Sequence, residues 1–113
     1  MKAYTYEVLV DLYDQVPYSN ALLGAENLQP SFNSGDSIYE ALLSSLDSAL
    51  NKDFTASTNS VPGNEDYIFG GDISRWKAFA HTLQLKMYLR MVNAKPDEAQ
   101  AGITALYNEG AEF

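Results

Sequence analysis

The longest hydrophobic pattern of the chain begins after a Gly-Gly-Asp turn and covers residues 73–93. On a helical wheel of about 100° per residue, its apolar side chains fall on two opposite arcs with a polar seam between them. One arc consists of Ile73, Trp76, Ala80, Leu83, Met87 and Met91, and the other of Ala78, Leu85, Leu89 and Val92. The seam holds Arg75 and Thr82 and is interrupted by Phe79. This pattern predicts a helix that packs on both sides, as inner helices of bundles and α-solenoids do.

Three other segments have helical patterns: residues 3–14, 36–51 and 96–108. Asp72 is a suitable N-cap for the long helix, and Pro96 is suited to a first helical turn. Gly110 is suited to the position just after a helix end. Because the link at residues 93–95 is short, the third and fourth helices are predicted to be antiparallel neighbours.

Two finer predictions concern the first two helices. The first helix is expected to bury Val8, Leu9, Leu12 and Tyr13 and to expose Glu7, Asp11 and Asp14. The second helix is expected to begin with a capping box, in which Ser37 and Glu40 satisfy each other's backbone N–H groups. Together these patterns predict an all-α fold, a single helical domain over residues 1–113 built from tetratricopeptide-like helix pairs, with two long loops.

The two loops, residues 15–35 and 52–69, are long for a compact domain and have no helical or strand period. They carry four aromatic residues next to amide and carboxyl side chains: Tyr18, Phe32, Tyr67 and Phe69. Aromatic rings stack on the apolar faces of sugars, and polar neighbours bind the hydroxyl groups. These four residues are therefore our candidates for ligand binding. The alternative is that they anchor the loops onto the helices, as buried aromatics commonly do.

Composition and charge exclude several classes of function. The net charge is −8 with only seven lysines and arginines, which argues against binding to nucleic acid or to anionic lipid. No apolar run is long enough to span a bilayer. With no cysteine and one histidine, His81, the chain shows no nucleophile–base arrangement, so we expect no catalytic residues and no cofactor.

The sequence contains carboxylates that are candidates for glycosidase chemistry or for binding a metal ion. Asp11/Asp14 and Glu65/Asp66 lie on a polar helix face and in a polar loop, where nothing suggests the raised pKa that a glycosidase acid needs. Glu65, Asp66 and Asp72 offer oxygens for a calcium ion, but the register of a calcium-binding loop is missing, so we expect no metal site.

Three stretches resemble one known family. They are residues 12–22 (LYDQVPYSNAL), residues 31–49 (SFNSGDSIYEALLSSLDSA) and the Gly70-Gly71-Asp72 run into RWKAFA and LQLKMYLR. In this order and spacing they are similar to the SusD/RagB-type nutrient-binding lipoproteins of Gram-negative bacteria. The chain departs from the family pattern at Asp14, His81 and Lys86, where Gly, Asn and Arg are usual.

The resemblance implies a non-catalytic protein on the extracellular face of the outer membrane. Such a protein captures a glycan or another nutrient and passes it to a TonB-dependent transporter. It also implies a lipid anchor on a cysteine, so we expect this chain to be a fragment whose anchor and signal peptide lie elsewhere. Because partner helices would then be missing, we expect some self-association of the fragment.

Two other functions remain open from the sequence. The first is a helical, tetratricopeptide-like scaffold that binds a protein through its acidic surface, although scaffold repeats normally have short connections. The second is a small glycan hydrolase with two carboxyl groups brought together by the fold.

Overall fold

The computed structural model describes residues 1–56, 60 and 62–113, and these residues form an all-α fold. Within them lie four α-helices and one two-stranded sheet: α1 (Lys2–Tyr13), β1 (Val16–Pro17), β2 (Phe32–Asn33), α2 (Gly35–Leu50), α3 (Ile73–Met91) and α4 (Pro96–Asn108). The predicted helix limits are confirmed to within one or two residues. The chain divides into two compact units, Met1–Asp47 and Ser48–Phe113.

The first unit contains α1, the sheet and most of α2. The strands pair antiparallel, with Val16 opposite Asn33 and Pro17 opposite Phe32. They pair at the base of a loop that includes a short 3-10 helix at Gly24–Glu26. The sequence analysis missed these strands because two residues are too few to show a strand period. The apolar side chains that α2 buries are those of Ile38, Tyr39, Leu42 and Leu43.

The predicted orientation of α1 is confirmed only in part: Asp11 and Asp14 are exposed and Val8 and Leu9 are half-buried, but the rest of the prediction is wrong. Leu12 and Tyr13 are 69% and 68% exposed, whereas Glu7 is fully buried together with Ala3 and Val10. Apolar residues occur on every side of this helix, so a helical wheel cannot identify which side is covered. Asp11, on the expected polar face, accepts a hydrogen bond of 2.6 Å from the hydroxyl of Tyr39.

The start of α2 also differs from the prediction. The helix begins at Gly35, so Ser37 lies inside its first turn. The Ser34 hydroxyl oxygen accepts the backbone N–H of Ser37 at 3.4 Å, and the Ser37 hydroxyl donates to the Ser34 carbonyl at 2.9 Å. The capping residue is therefore Ser34, and the predicted capping box of Ser37 and Glu40 is wrong. Both serines have a side chain that can cap, and the sequence pattern favoured the one followed by an acid.

The second unit is built on the α3–α4 hairpin. Asp72 caps α3 as predicted, its carboxylate accepting the N–H of Arg75 at 3.1 Å. Gly102 of α4 lies under the ring of Tyr88 of α3, where a Cβ atom would come within 2.3 Å of the ring. The helices are antiparallel, because His81, earlier on α3, meets Glu112, beyond the end of α4.

The end of α4 is closed by the hydrogen bonds of a Schellman motif. Gly110 has a φ of 67°, its N–H donates to the carbonyl of Tyr107, and the N–H of Ala111 donates to the carbonyl of Leu106. The predicted role of Gly110 is confirmed. The motif turns residues 110–113 back toward α3, where they help to form two cavities.

The two apolar arcs of α3 differ in burial. On the first arc, Leu83, Met87 and Met91 are buried. On the second arc Leu89 is 57% exposed and Val92 43% exposed. The prediction that this helix packs on both sides is therefore wrong for its last turns. A wheel shows which side chains are apolar, whereas burial depends on a neighbour being present.

Candidate functional site

The turn before α3 is organised by the carboxylate of Asp66. Its Oδ2 accepts the indole N–H of Trp76 at 2.7 Å and the backbone N–H of Gly71 at 2.9 Å. Its Oδ1 accepts the backbone N–H groups of Ile68 and Phe69 at 3.1 and 3.3 Å. One side chain therefore binds three backbone amides of the loop and a side chain of the helix. We call residues 66–72 the Asp66 turn.

The two glycines of the Asp66 turn are required by its backbone. Gly70 and Gly71 have φ values of 64° and 82°, which L side chains rarely adopt. A Cβ atom on Gly71 would also lie 1.7 Å from the carbonyl oxygen of Pro62, whereas one on Gly70 would meet no atom within 4 Å. Gly71 thus lets two stretches of backbone approach each other. Together with the Asp72 cap, it fixes how the loop enters α3.

The hydrogen bonds of the turn also set its charge. The Trp76 N–H, together with the backbone N–H groups, lowers the pKa of Asp66 from 3.8 to about 2. The backbone N–H groups of Gly63 and Glu65 itself lower the pKa of the Glu65 carboxyl. Both effects favour the ionised form. A glycosidase acid needs the opposite shift, so neither carboxyl is suited to donating a proton at neutral pH.

The two candidate aromatics of the Asp66 turn have different surroundings. Tyr67 is 97% exposed, so both faces of its ring are open to solvent. Phe69 is half-buried and packs edge-on against Trp76, with ring centroids 4.9 Å apart. Its ring also lies 6.2 Å from Phe79, and Trp76 lies 5.8 Å from Phe79. The turn therefore presents one free ring beside a cluster of three packed rings.

A cavity of about 290 Å³ lies next to this cluster, and we call it the aromatic cavity. Its lining residues are Phe69, Arg75, Ala78, Phe79, Thr82 and Phe113. The Nε atom of Arg75 lies 3.6 Å from Oδ2 of Asp72. The cavity thus combines three phenylalanine rings with the exposed guanidinium of Arg75, whose charge the neighbouring Asp72 offsets from outside the lining.

A second cavity, of about 240 Å³, lies on the neighbouring face of α3. It is lined by Ser74, Lys77, Ala78, His81, Gly110 and Glu112. His81 Nδ1 lies 3.2 Å from the carbonyl oxygen of Glu112, so a proton on this nitrogen is donated to that carbonyl. His81 holds the segment after α4 against α3, which is a structural role.

The other two candidates, Tyr18 and Phe32, lie in the first unit at the base of the β1–β2 loop. The Oδ1 atom of Asn33 accepts the backbone N–H groups of Tyr18 and Ser19 at 3.1 and 3.0 Å, and the Ser19 hydroxyl at 3.1 Å. This clamp fixes the backbone beside both candidates. The ring of Tyr18 packs edge-on against Tyr6 at 4.8 Å, with Lys2 Nζ 4.8 Å from its centroid.

Phe32 differs from Tyr18 in its exposure. Its side chain is 67% exposed, although its backbone is paired with Pro17. Of the four candidates, Phe32 and Tyr67 therefore present rings to solvent, whereas Tyr18 and Phe69 make ring contacts within their own units. The two rings that make contacts within their units are placed as loop anchors would be, and the two exposed rings stay candidates for ligand binding.

Comparison with known proteins adds the decisive observation. A model of the SusD-like family, described as starch-binding associating with outer membrane, matches residues 1–113. The chain belongs to the SusD-like family. No curated protein matches the chain in a direct comparison of sequences.

The structure explains part of the SusD-like sequence pattern. The Gly-Gly-Asp run forms the Asp66 turn and the cap of α3, and Trp76 of the following run binds Asp66. In the sequence, Trp76 belongs to the first apolar arc of α3, and Asp66 was considered only as one of the loop carboxylates. Their hydrogen bond was not predicted, because the irregular residues 67–72 lie between Asp66 and the start of α3. An acid shortly before two glycines is the available signal, since Asp commonly organises turns.

The aromatic cavity of this SusD-like chain was also missed. Arg75 and Thr82 were assigned to the polar seam of α3, and Phe79 was noted as an interruption of that seam. A large aromatic ring on a polar face was the signal. The contribution of Phe113 depends on the turn after α4 and shows no pattern in the sequence.

The described residues contain neither a cluster suited to a metal ion nor a helix suited to crossing a membrane. Across residues 1–56, 60 and 62–113 there is no group of three or more His, Cys, Asp or Glu side chains placed to hold a metal ion. In the same part of this SusD-like chain, no helix combines the length and apolarity needed to cross a bilayer.

Proposed function

We propose that this chain captures a glycan at the outer-membrane surface, without catalysis, for import by a TonB-dependent transporter. The observation that carries the proposal is the match of the SusD-like family, described as starch-binding associating with outer membrane, to residues 1–113. The proposal places the protein on the extracellular face, held by a lipid anchor. In this role it presents ligand to the transporter beneath it and makes or breaks no bond.

The loop aromatics support glycan capture. Tyr67 is 97% exposed, yet its backbone neighbours are held by the carboxylate of Asp66. Phe32 is exposed beside the Asn33 clamp. A ring on a fixed backbone loses little conformational freedom when a ligand stacks on it, so more of the contact energy remains for affinity. We assign the ligand contacts of the second unit to Tyr67 first, with Phe69 beside it. Within the first unit we assign them to Phe32, with Tyr18 beside it.

The carboxyl groups support a role without catalysis. Hydrolysis of a glycosidic bond needs one carboxyl group that stays protonated near neutral pH. Glu65 and Asp66 are held by N–H donors that lower the pKa of each. Asp11 accepts the hydroxyl of Tyr39. Three of the four carboxyl groups noted in the sequence, those of Asp11, Glu65 and Asp66, thus accept hydrogen bonds within the structure.

The test compares glycan binding by two tyrosine variants. Tyr67→Ala removes the exposed ring of the Asp66 turn, and Tyr13→Ala removes a ring of similar exposure at the end of α1. In calorimetric titrations with starch-type, mannan, xylan and host-glycan oligosaccharides, we expect saturable binding of one class. Tyr67→Ala should weaken that binding about fivefold to tenfold, the worth of one aromatic contact, and Tyr13→Ala should leave it unchanged.

Two results would contradict the proposal. Equal affinities of both variants would remove Tyr67 from the site. If the chain bound no glycan class but did bind a purified protein, the helical scaffold would be favoured. Such a scaffold would use its acidic surface, and the exposed Leu89 and Val92 at the end of α3 would add apolar contacts.

A further inference from the structure

We propose that the aromatic cavity is a subsite for one neutral sugar ring. This inference rests on the proposed function and adds a location and a ligand class to it. The cavity is formed entirely by the second unit, from the Asp66 turn, α3 and the residues after α4.

The apolar part of the cavity suits the C–H faces of a pyranose. Phe69, Phe79 and Phe113 contribute rings from three segments of chain. Phe69 is fixed by its edge-on contact with Trp76, and its backbone N–H is bound to Asp66. Phe113 lies 6.3 Å from the ring of Tyr107. A sugar ring entering here would contact Phe69 and Phe79, which are already packed against Trp76, and this lowers the entropic cost of binding.

The polar part of the cavity indicates an uncharged ligand. Arg75 offers N–H donors, and the Thr82 hydroxyl oxygen, which also lines the cavity, offers an acceptor. Side-by-side donors and acceptors match hydroxyl groups, which both donate and accept. Asp72 lies outside the lining, but its Oδ2 is 3.6 Å from Arg75 Nε and offsets the charge of Arg75, and the chain carries a net charge of −8. A uronic acid or a phosphorylated sugar would gain little from Arg75 while facing Asp72 and the negative chain.

The size of the cavity suits one sugar ring. Its volume is about 290 Å³, just below the ~300–1,000 Å³ typical of small-molecule pockets, and it is open to solvent. The rest of a glycan would therefore lie outside it. The expected signature is an affinity at this subsite that changes little between a monosaccharide and its longer oligomers.

The chain has a built-in reporter for this subsite. Trp76 is its single tryptophan, and its ring lies 4.9 Å from that of Phe69, which lines the cavity. Selective excitation of tryptophan therefore follows the aromatic cavity and the Asp66 turn, whereas calorimetry follows binding anywhere on the chain. Because Trp76 binds Asp66, the residue before Tyr67, a fluorescence change is assigned to this subsite only if Arg75→Ala weakens it and Tyr67→Ala does not.

The experiment titrates the chain with maltoheptaose and mannohexaose, with glucose and mannose, and with glucuronate as the charged probe. Arg75→Ala removes the donor of the cavity. Lys77→Ala removes the same charge from the same helix but lies outside the cavity. We expect a saturable change in Trp76 fluorescence with a neutral sugar, similar affinities for monomer and oligomer, and weaker binding of glucuronate. Arg75→Ala should weaken binding roughly tenfold, the worth of a charge-assisted hydrogen bond, and Lys77→Ala should not change it.

Failure of this inference can be told apart from failure of the proposed function. One outcome is that calorimetry detects glycan binding and Tyr67→Ala weakens it, while Trp76 fluorescence does not change and Arg75→Ala has no effect. This outcome overturns the subsite and leaves glycan capture standing. Tighter binding of glucuronate than of neutral sugars overturns the assigned ligand class. Absence of heat with every sugar overturns both.

Discussion

Adding a single methyl group at Gly71 tests whether the Asp66 turn is built as described. The backbone at Gly71 has a φ of 82°, and a Cβ atom there would lie 1.7 Å from the carbonyl oxygen of Pro62. The clash is with backbone, so no side-chain rotation relieves it. Gly71→Ala therefore imposes a left-handed alanine and also forces the Pro62 segment away from the turn.

The magnitude of this change follows from its two parts. A left-handed conformation costs an L residue about 1–2 kcal/mol, and overpacking of a close contact costs about 1–3 kcal/mol. Gly71→Ala should therefore lower the free energy of unfolding by about 2–5 kcal/mol. Gly70→Ala is the matched control, because its φ is 64° but its Cβ atom would meet nothing within 4 Å. The control should lose only the first part, about 1–2 kcal/mol.

The assay is urea unfolding of both variants, followed by Trp76 fluorescence and by far-ultraviolet circular dichroism. Trp76 reports the turn directly, since its indole N–H binds Asp66. The difference between the two variants isolates the approach of Gly71 to Pro62. Equal losses of stability would refute the reasoning, because they would mean that this approach contributes nothing to the folded state.

Two further predictions concern the core and the pH dependence of the second unit. Leu83 is 4% exposed and Leu89 is 57% exposed on the same helix, so Leu83→Ala should cost about 2–5 kcal/mol and Leu89→Ala under about 1 kcal/mol in urea unfolding. A loss under about 1 kcal/mol at Leu83 would contradict its burial. The folded-state pKa of Asp66, about 2, is below its ordinary 3.8, so its contribution to stability is present above pH 3.8 and is lost as the pH falls toward 2. The free energy of unfolding of the native chain should therefore fall more steeply through this pH window than that of Asp66→Asn. If Trp76 fluorescence followed the same pH profile in both proteins, that result would contradict the hydrogen bonds assigned to Asp66.

The sequence predicted best what depends on neighbouring residues. Asp72, Pro96 and Gly110 mark helix ends through their own backbone preferences and side-chain oxygens, and the structure places all three where expected. The fold class follows from these limits and from the helical periods. The family resemblance of three ordered stretches is confirmed by the match over residues 1–113.

Features that depend on distant residues were not predictable in the same way. The buried side of α1 could not be chosen because its apolar residues surround the helix, and Glu7 is buried there. The bond between Asp66 and Trp76 spans a turn whose path is set by two left-handed glycines. The aromatic cavity needs Phe113, which the Schellman motif directs back toward α3. In each case a tertiary contact decides among side chains that are equivalent in the local pattern.

The central claim, capture of a glycan without chemistry, is tested most directly by one equilibrium experiment. The chain is dialysed against each oligosaccharide class, and bound ligand and newly formed reducing ends are measured in the same samples. The account predicts saturable binding of one class, with all ligand recovered intact and no reducing ends above a heat-denatured control. Release of shorter sugars, or equal ligand concentrations on both sides of the membrane for every class, would contradict it.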